Sequence, residues 1–257
     1  MTLPGSDHLS EAVASRRAEN SAPRSNNATE AVASRRAENS APREDFESAF
    51  REFVQQPDFP CLGAKSMMRL NSYTLRAYGV LGNDSNASSL VADLARFGEQ
   101  LADDVLSAFV AVFPDAPPED EVAFERRLWR QLQLLHDADP ERASWASGVS
   151  DDPDDPHFSF SVGGRAFFVI GLQPLSSRLA RRFRWPALVF NPHEQFTRLR
   201  EEGRFEGFRS AIRARDIALQ GTENPNLADF GEKSEARQYS GRRTEDEWKC
   251  PFHRKQS

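Results

Sequence analysis

The densest group of side chains that could do chemistry lies between residues 174 and 196, in the sequence PLSSRLARRFRWPALVFNPHEQF. Its serine and basic side chains are Ser177, Arg178, Arg181 and Arg182. Guanidinium groups bind carboxylates and phosphates through paired hydrogen bonds, and a serine at a helix start adds a further donor. The pattern indicates either a site for an anionic group or a solvated basic face that pairs with the acidic loop at residues 150–157.

His193 follows the apolar run at residues 187–190 and Pro192, so we expect it near the start of a helix. A histidine in that position commonly caps the helix or packs, but neutral imidazole also coordinates iron, zinc and copper. No second histidine, cysteine or carboxylate follows at zinc-site spacing, which disfavours zinc. Haem iron needs only one such side chain, because the porphyrin supplies the equatorial ligands.

The two cysteines, Cys61 and Cys250, are too distant in sequence for a C-x-x-C redox motif and too few for a disulfide scaffold. Each is expected to be a buried apolar thiol, and free thiols fit a reducing, cytoplasmic location. The sequence lacks a phosphate-binding loop, a dinucleotide-binding fingerprint and a G-x-S-x-G motif. These absences argue against a kinase, a nicotinamide-dependent enzyme and a serine hydrolase.

The helices and strands predicted around these residues indicate an α+β fold. We expect a single domain in which long helices flank a small mixed sheet. The helical spacing of apolar residues predicts one long helix over residues 88–113. Alternation predicts a strand at residues 72–81, and Gly163-Gly164 predicts a hairpin. The other predicted elements are helices at residues 46–54, 64–70, 121–136, 176–183, 192–202 and 205–219 and a short strand at 187–190.

Length and charge narrow the class of protein. A chain of 257 residues with a net charge of −6 fits one domain and argues against a general nucleic-acid binder. No run reaches the roughly 20 apolar residues that a membrane-spanning helix needs. Residues 11–24 and 30–43 repeat the polar sequence EAVASRRAENSAPR, which cannot build a core. We therefore expect a disordered tail at residues 1–43, followed by the folded domain at residues 44–257.

Several ordered runs together resemble the YqcI/YcgG family. They are FPC at residues 59–61, FFVIGLQPLSSRLARRF at 167–183, FNPHEQFTRLREEGRF at 190–205, a long run at 212–242 and WKCPF at 248–252. Better understood members of this family are haem proteins that N-hydroxylate guanidine compounds, in D-cycloserine and guanitoxin biosynthesis. The resemblance therefore implies haem b, dioxygen, external electrons and a guanidino substrate such as arginine.

The resemblance also implies an axial ligand for the haem iron. His193, in the NPHEQF run, is the expected ligand. The family often has a histidine where this chain has Gln173, so position 173 is not expected to ligate. A thiolate from Cys61 or Cys250 is the second-ranked ligand.

Other side chains are assigned to the haem propionates and the substrate, as the resemblance implies. The expected propionate partners are Ser177, Arg178, Arg181 and Arg182. Glu194 and Gln195, beside the ligand, are expected to tune its basicity at the catalytic centre. A guanidinium substrate needs carboxylates, for which the sequence offers Glu194, Asp216 and Glu235.

Two other functions stay open. A haem-binding or gas-sensing protein without turnover would use the same ligand, and a cofactor-free domain would use His193 only for packing. For the N-hydroxylase, the expected partners are a guanidino compound and an unidentified electron donor. Neither nucleic acid nor membrane is expected as a partner, and a homodimer stays open.

Deletion of residues 1–43 is expected to leave folding and cofactor content unchanged, because the duplicated segment carries no core residues. Circular dichroism and haem content per chain, measured on the full and the shortened protein, check this. A large loss of soluble protein on deletion would contradict it.

Overall fold

The computed structural model describes residues 43–102, 104–141 and 144–254. Its helices are α1, Arg43–Gln55; α2, Leu62–Leu70; α3, Ala87–Glu99; α4, Glu121–Ala138; α5, His193–Glu201; α6, Phe205–Gln220; and α7, Ala236–Tyr239. Its strands are β1, Tyr73–Ala77; β2, Ala108–Val112; β3, Phe160–Val162; β4, Arg165–Leu172; and β5, Ala187–Pro192. Apart from Arg43, the predicted disordered tail lies outside the described residues.

The five strands form one mixed sheet in the order β1-β2-β5-β4-β3. β1 and β2 run parallel, whereas every other neighbouring pair is antiparallel. The hairpin predicted between β3 and β4 is present, and Gly163 and Gly164 have φ values of 59° and 70°. Two consecutive positive φ angles are what a two-residue type I′ turn requires. The predicted α+β class, with a small mixed sheet, is confirmed.

The helix predicted over residues 88–113 is wrong in its second half. Helix α3 ends at Glu99, and the interior strand β2 occupies Ala108–Val112. All five residues of β2 are buried, because both faces of the sheet are covered. A strand that is buried on both faces is apolar at every position, so its side chains can extend a helical periodicity by coincidence.

The basic helix predicted at residues 176–183 is reduced to a single 3-10 turn, Leu179–Arg181. The residue before it, Arg178, has an extended backbone. The amide of Gln173 donates a hydrogen bond to the carbonyl oxygen of Arg181 at 2.9 Å, which folds the segment back beside the end of β4. Long-range contacts therefore override the local helical preference of this arginine-rich run.

The two faces of the sheet carry separate cores. On one face, α3 and α4 pack against strand side chains that include Phe109, Phe167 and Phe190. On the other face, α1 and α2 cover smaller strand residues such as Ala108, Val110 and Val189. Small side chains on the second face leave room between the sheet and its helices. Within the part of the chain that the structure describes, no helix has the length and apolarity needed to cross a membrane.

Gly171, in β4, lies directly against side chains of α4. A Cβ atom there would approach Phe124 Cε1 to 2.7 Å and Leu128 Cδ1 to 2.9 Å. Gly171→Ala is therefore expected to lower the free energy of unfolding by about 1–3 kcal/mol, as overpacking of a core does. The matched control is Gly207→Ala in α6, where nothing lies within 4 Å of the new Cβ. The control should leave stability unchanged or raise it by up to about 1 kcal/mol. Urea unfolding measures both, and equal effects would contradict the packing argument.

Candidate functional site

A cavity of about 330 Å³ lies between the small-residue face of the sheet and helices α1, α2, α5 and α6. This volume falls within the usual range for small-molecule and cofactor sites. Most of its walls are carbon, from aliphatic residues and many aromatic rings. The aromatic residues that line it include Phe53, Phe59, Phe168, Phe196, Phe208 and Phe230. Such walls exclude water and suit a ligand with a large apolar surface.

His193 lines this cavity as the first residue of α5, directly after β5. Its side chain is buried and packs against Phe230, with the ring centroids 4.6 Å apart. Burial, assisted by the charge of Arg200, lowers the pKa of His193 to about 4. Within the described residues, neither ring nitrogen makes a hydrogen bond. The imidazole is therefore neutral at pH 7 and has a lone pair that no described group of the protein uses, which is the form that binds metals.

One of the two thiols shares the cavity with His193. Cys61 lines it and caps α2, because its Sγ accepts a hydrogen bond from the amide of Ala64 at 3.4 Å. Cys250 is buried in the core on the opposite face of the sheet. Burial raises the pKa of both thiols, that of Cys250 to about 12. A thiol must lose its proton before it ligates a metal, whereas the imidazole is already in its binding form.

Two of the predicted propionate partners reach the cavity but are occupied by the protein itself. Arg178 forms a buried ion pair with Asp216 and donates to the carbonyl oxygen of Thr222 at 3.3 Å. Arg181 donates to backbone carbonyl oxygens, at 3.1 Å to Gly171 and 3.2 Å to Tyr239. Burial lowers the pKa of Arg181 to about 10. Both guanidinium groups therefore tie the cavity wall together.

The other two predicted partners lie outside the cavity. The exposed Arg182 donates from Nε to the carbonyl oxygen of Ser176 at 2.6 Å. Ser177 is also exposed, and its amide and hydroxyl both donate to Glu121 Oε1, at 2.8 Å and 3.0 Å. These contacts fix the loop to the start of α4.

The two residues beside His193 also separate. Glu194 points to solvent and pairs with Arg165 at 2.9 Å, outside the cavity. Gln195 is buried and lines the cavity, and its Oε1 accepts a hydrogen bond from the amide of Ser107 at 2.9 Å. That bond attaches the first turn of α5 to the residue before β2, so Gln195 holds in place the backbone that carries the histidine.

Three cavity arginines were not predicted from the sequence. Arg209 and Arg213, one turn apart on α6, share Asp229 as their carboxylate partner. Arg200 stacks its guanidinium over Phe205, 4.3 Å from the ring centroid, and over Phe230 at 5.5 Å. Among the residues described, Arg200 makes no hydrogen bond and no ion pair. A signal was available, because positions 193, 196 and 200 fall on one face of the predicted helix.

Three carboxylates line the cavity, and one of them has no cationic partner within ion-pair distance among the described residues. Asp216 and Asp229 are paired with arginines. Glu235 is buried, and its Oε1 accepts hydrogen bonds from the hydroxyls of Ser159 at 2.8 Å and Tyr239 at 2.5 Å. Burial raises the pKa of Glu235 to about 8, although the two hydroxyls act in the opposite direction.

The model of the YqcI/YcgG family matches residues 50–253. This chain belongs to the YqcI/YcgG family. A relative from Bacillus subtilis (strain 168), named "Uncharacterized protein YqcI", is 26% identical over 205 residues, which cover 76% of this chain and 80% of the relative. No solved structure matches the chain. The family assignment made from sequence is confirmed, and every cavity residue named above lies within the matched span.

Metal-ligating side chains do not cluster in the described residues, where no group of three or more His, Cys, Asp or Glu could hold a metal ion.

The Arg178–Asp216 pair is expected to stabilise the fold much more than an exposed pair does. Asp216→Ala leaves the buried Arg178 without a counter-ion, which should lower the free energy of unfolding by about 3–5 kcal/mol. The matched control, Glu194→Ala, removes a partner of the half-exposed Arg165 and should cost less than about 1 kcal/mol. Urea unfolding of both variants at neutral pH checks the difference. Similar losses would contradict the structural role given to Arg178.

Proposed function

We propose that this protein is a haem-dependent N-oxygenase that hydroxylates a guanidino nitrogen of arginine or an arginine-like compound. It would use haem b, dioxygen and electrons from an external donor. The observation that carries the proposal is the neutral, buried imidazole of His193, which makes no hydrogen bond to a described protein group and lines a largely apolar cavity. The family's better understood members supply the reaction type, and the cavity supplies a place for the cofactor.

The cavity residues fit a haem. An aromatic and aliphatic lining suits a flat macrocycle, and a single imidazole suits an iron whose equatorial ligands come from the porphyrin. His193 would be the axial ligand, with Gln195 fixing the helical turn that carries it. Arg200, which has no ion-pair partner among the described residues, replaces Arg178, Arg181 and Arg182 as the expected partner of a propionate.

Haem supplies the activation of dioxygen, and the chain supplies the surroundings in which that chemistry is selective. The aromatic walls exclude water, which limits loss of oxidising power to solvent. Two ion pairs that involve α6, Arg178 with Asp216 and Arg209 with Asp229, form part of the cavity wall. The backbone of His193 is held in place, because Pro192 precedes it and Gln195 anchors its helix, so the imidazole would be well positioned to hold the haem.

His193→Ala is expected to abolish the Soret absorption of the purified protein, because the iron loses its protein ligand. Added imidazole should restore the absorption in part by entering the space that the side chain leaves. Cys61→Ala is the matched control, since it truncates the other candidate ligand in the same cavity. Circular dichroism should show that both variants are folded. A normal spectrum for His193→Ala together with a lost spectrum for Cys61→Ala would contradict the assignment and point to thiolate ligation.

A turnover assay distinguishes the proposed N-oxygenase from a protein that binds haem without catalysing a reaction. Incubation of the wild-type protein with arginine, a reductant and dioxygen should give an N-hydroxyguanidino product, detected by mass spectrometry as the gain of one oxygen atom. A protein that holds haem but forms no such product from arginine or agmatine would favour the haem-binding or gas-sensing alternative.

A further inference from the structure

Glu235 has an arrangement that folding alone does not require. The residue is only 5% exposed, and burial is costly for a carboxylate unless its oxygens are satisfied. Oε1 accepts two hydrogen bonds, from Ser159 and Tyr239. Oε2 accepts none from the residues that the structure describes. The side chain lines the cavity, so this oxygen is placed where a bound molecule can reach it.

The position of Glu235 is fixed from several directions. Glu235 precedes α7, and Tyr239 lies one helical turn later, so the two side chains meet on the same face. The Tyr239 hydroxyl also accepts a hydrogen bond from the amide of Phe160 at 3.1 Å. It lies 3.3 Å from the carbonyl oxygen of Phe167. The carboxylate is therefore held against β3 and β4 with one oxygen fixed and the other open.

The charges around the cavity make Glu235 selective. Asp216 and Asp229 are already neutralised by arginines of the protein. Arg200 interacts with Glu235 at long range but forms no ion pair with it among the described residues. A cationic ligand that enters the cavity therefore finds one carboxylate that is not already paired. A neutral ligand of the same shape gains much less there, because only a cation favours the ionised form of Glu235 over the neutral form that burial favours.

We propose that Glu235 is the carboxylate that binds the cationic guanidinium group of the substrate, through an N–H donated to Oε2. The proposal rests on the proposed function, since it takes the cavity as the active site. It adds a specificity-determining residue and a charge requirement: the group recognised is an amidinium-type cation rather than its uncharged urea counterpart. A planar guanidinium would still present its remaining N–H groups and nitrogen atoms to the rest of the cavity.

The substitution Glu235→Gln isolates the charge. The amide oxygen of glutamine can still accept the hydrogen bonds from Ser159 and Tyr239, so the anchoring of α7 is kept. The amide nitrogen then takes the place of Oε2 and presents donors where the carboxylate presented an acceptor. Glu201→Gln is the matched control, because Glu201 is exposed at the end of α5 and does not line the cavity.

The test is calorimetric titration of the purified full-length proteins with two matched pairs of probes, arginine against citrulline and methylguanidine against methylurea. For Glu235→Gln, we expect affinity for the two cations to fall about 10- to 100-fold, as loss of one charge-assisted hydrogen bond predicts. Weak binding of the two ureas should stay unchanged. Glu201→Gln should bind all four probes as the wild type does.

Three results would overturn the inference. They are equal binding of the cations by wild type and Glu235→Gln, no binding of either cation by the wild type, and a parallel loss of affinity for cations and ureas. The last result, with a lowered unfolding midpoint in urea, would mark Glu235 as purely structural.

The Soret spectrum of each sample separates this inference from the proposed function. Glu235-dependent binding of the cations by a protein that cannot take up haem would sink the haem proposal while supporting the carboxylate. Conversely, if the wild-type protein takes up haem but Glu235→Gln binds the cations with the same affinity, the haem proposal would be supported and the role of Glu235 would be contradicted.

Discussion

Removal of water from one face of the sheet sets the charge state of the groups that line the cavity. It lowers the pKa of His193 and raises those of Glu235 and Cys61, in each case because burial disfavours the charged form. The same effect explains why Arg178 is paired and why Arg181 is surrounded by carbonyl oxygens. A neutral imidazole and an acid without an ion-pair partner among the described residues, in one buried cavity, are therefore two consequences of a single constraint.

That constraint starts in the sheet. Small strand residues such as Ala108 and Val110 on this face leave a space that the larger aromatic residues of the other face would fill. Helix α5 begins where β5 ends, so the continuous backbone places the histidine at this junction beside the cavity. The hydrogen bond between Gln195 and Ser107 then secures that junction. Fold and site are linked here by the strand-to-helix turn.

Local sequence patterns were sufficient where local interactions decide the structure. The Gly163-Gly164 hairpin, helix α4 and the placement of His193 at a helix start could all be predicted, because turn chemistry and amphipathic spacing act over a few residues. The strand β2 was missed because a strand buried on both faces carries no alternation. The roles of Arg178 and Arg181 could not be predicted locally, since Asp216 lies 38 positions beyond Arg178 and Tyr239 lies 58 positions beyond Arg181.

We propose that the cavity at His193 holds one haem. The most direct measurement is the visible absorption spectrum of the purified full-length protein after reconstitution with haemin and removal of excess, with haem and protein quantified in the same sample. We predict a Soret band with close to one haem per chain. A reconstituted protein that is folded by circular dichroism, yet shows no Soret band and no retained haem, would contradict the claim.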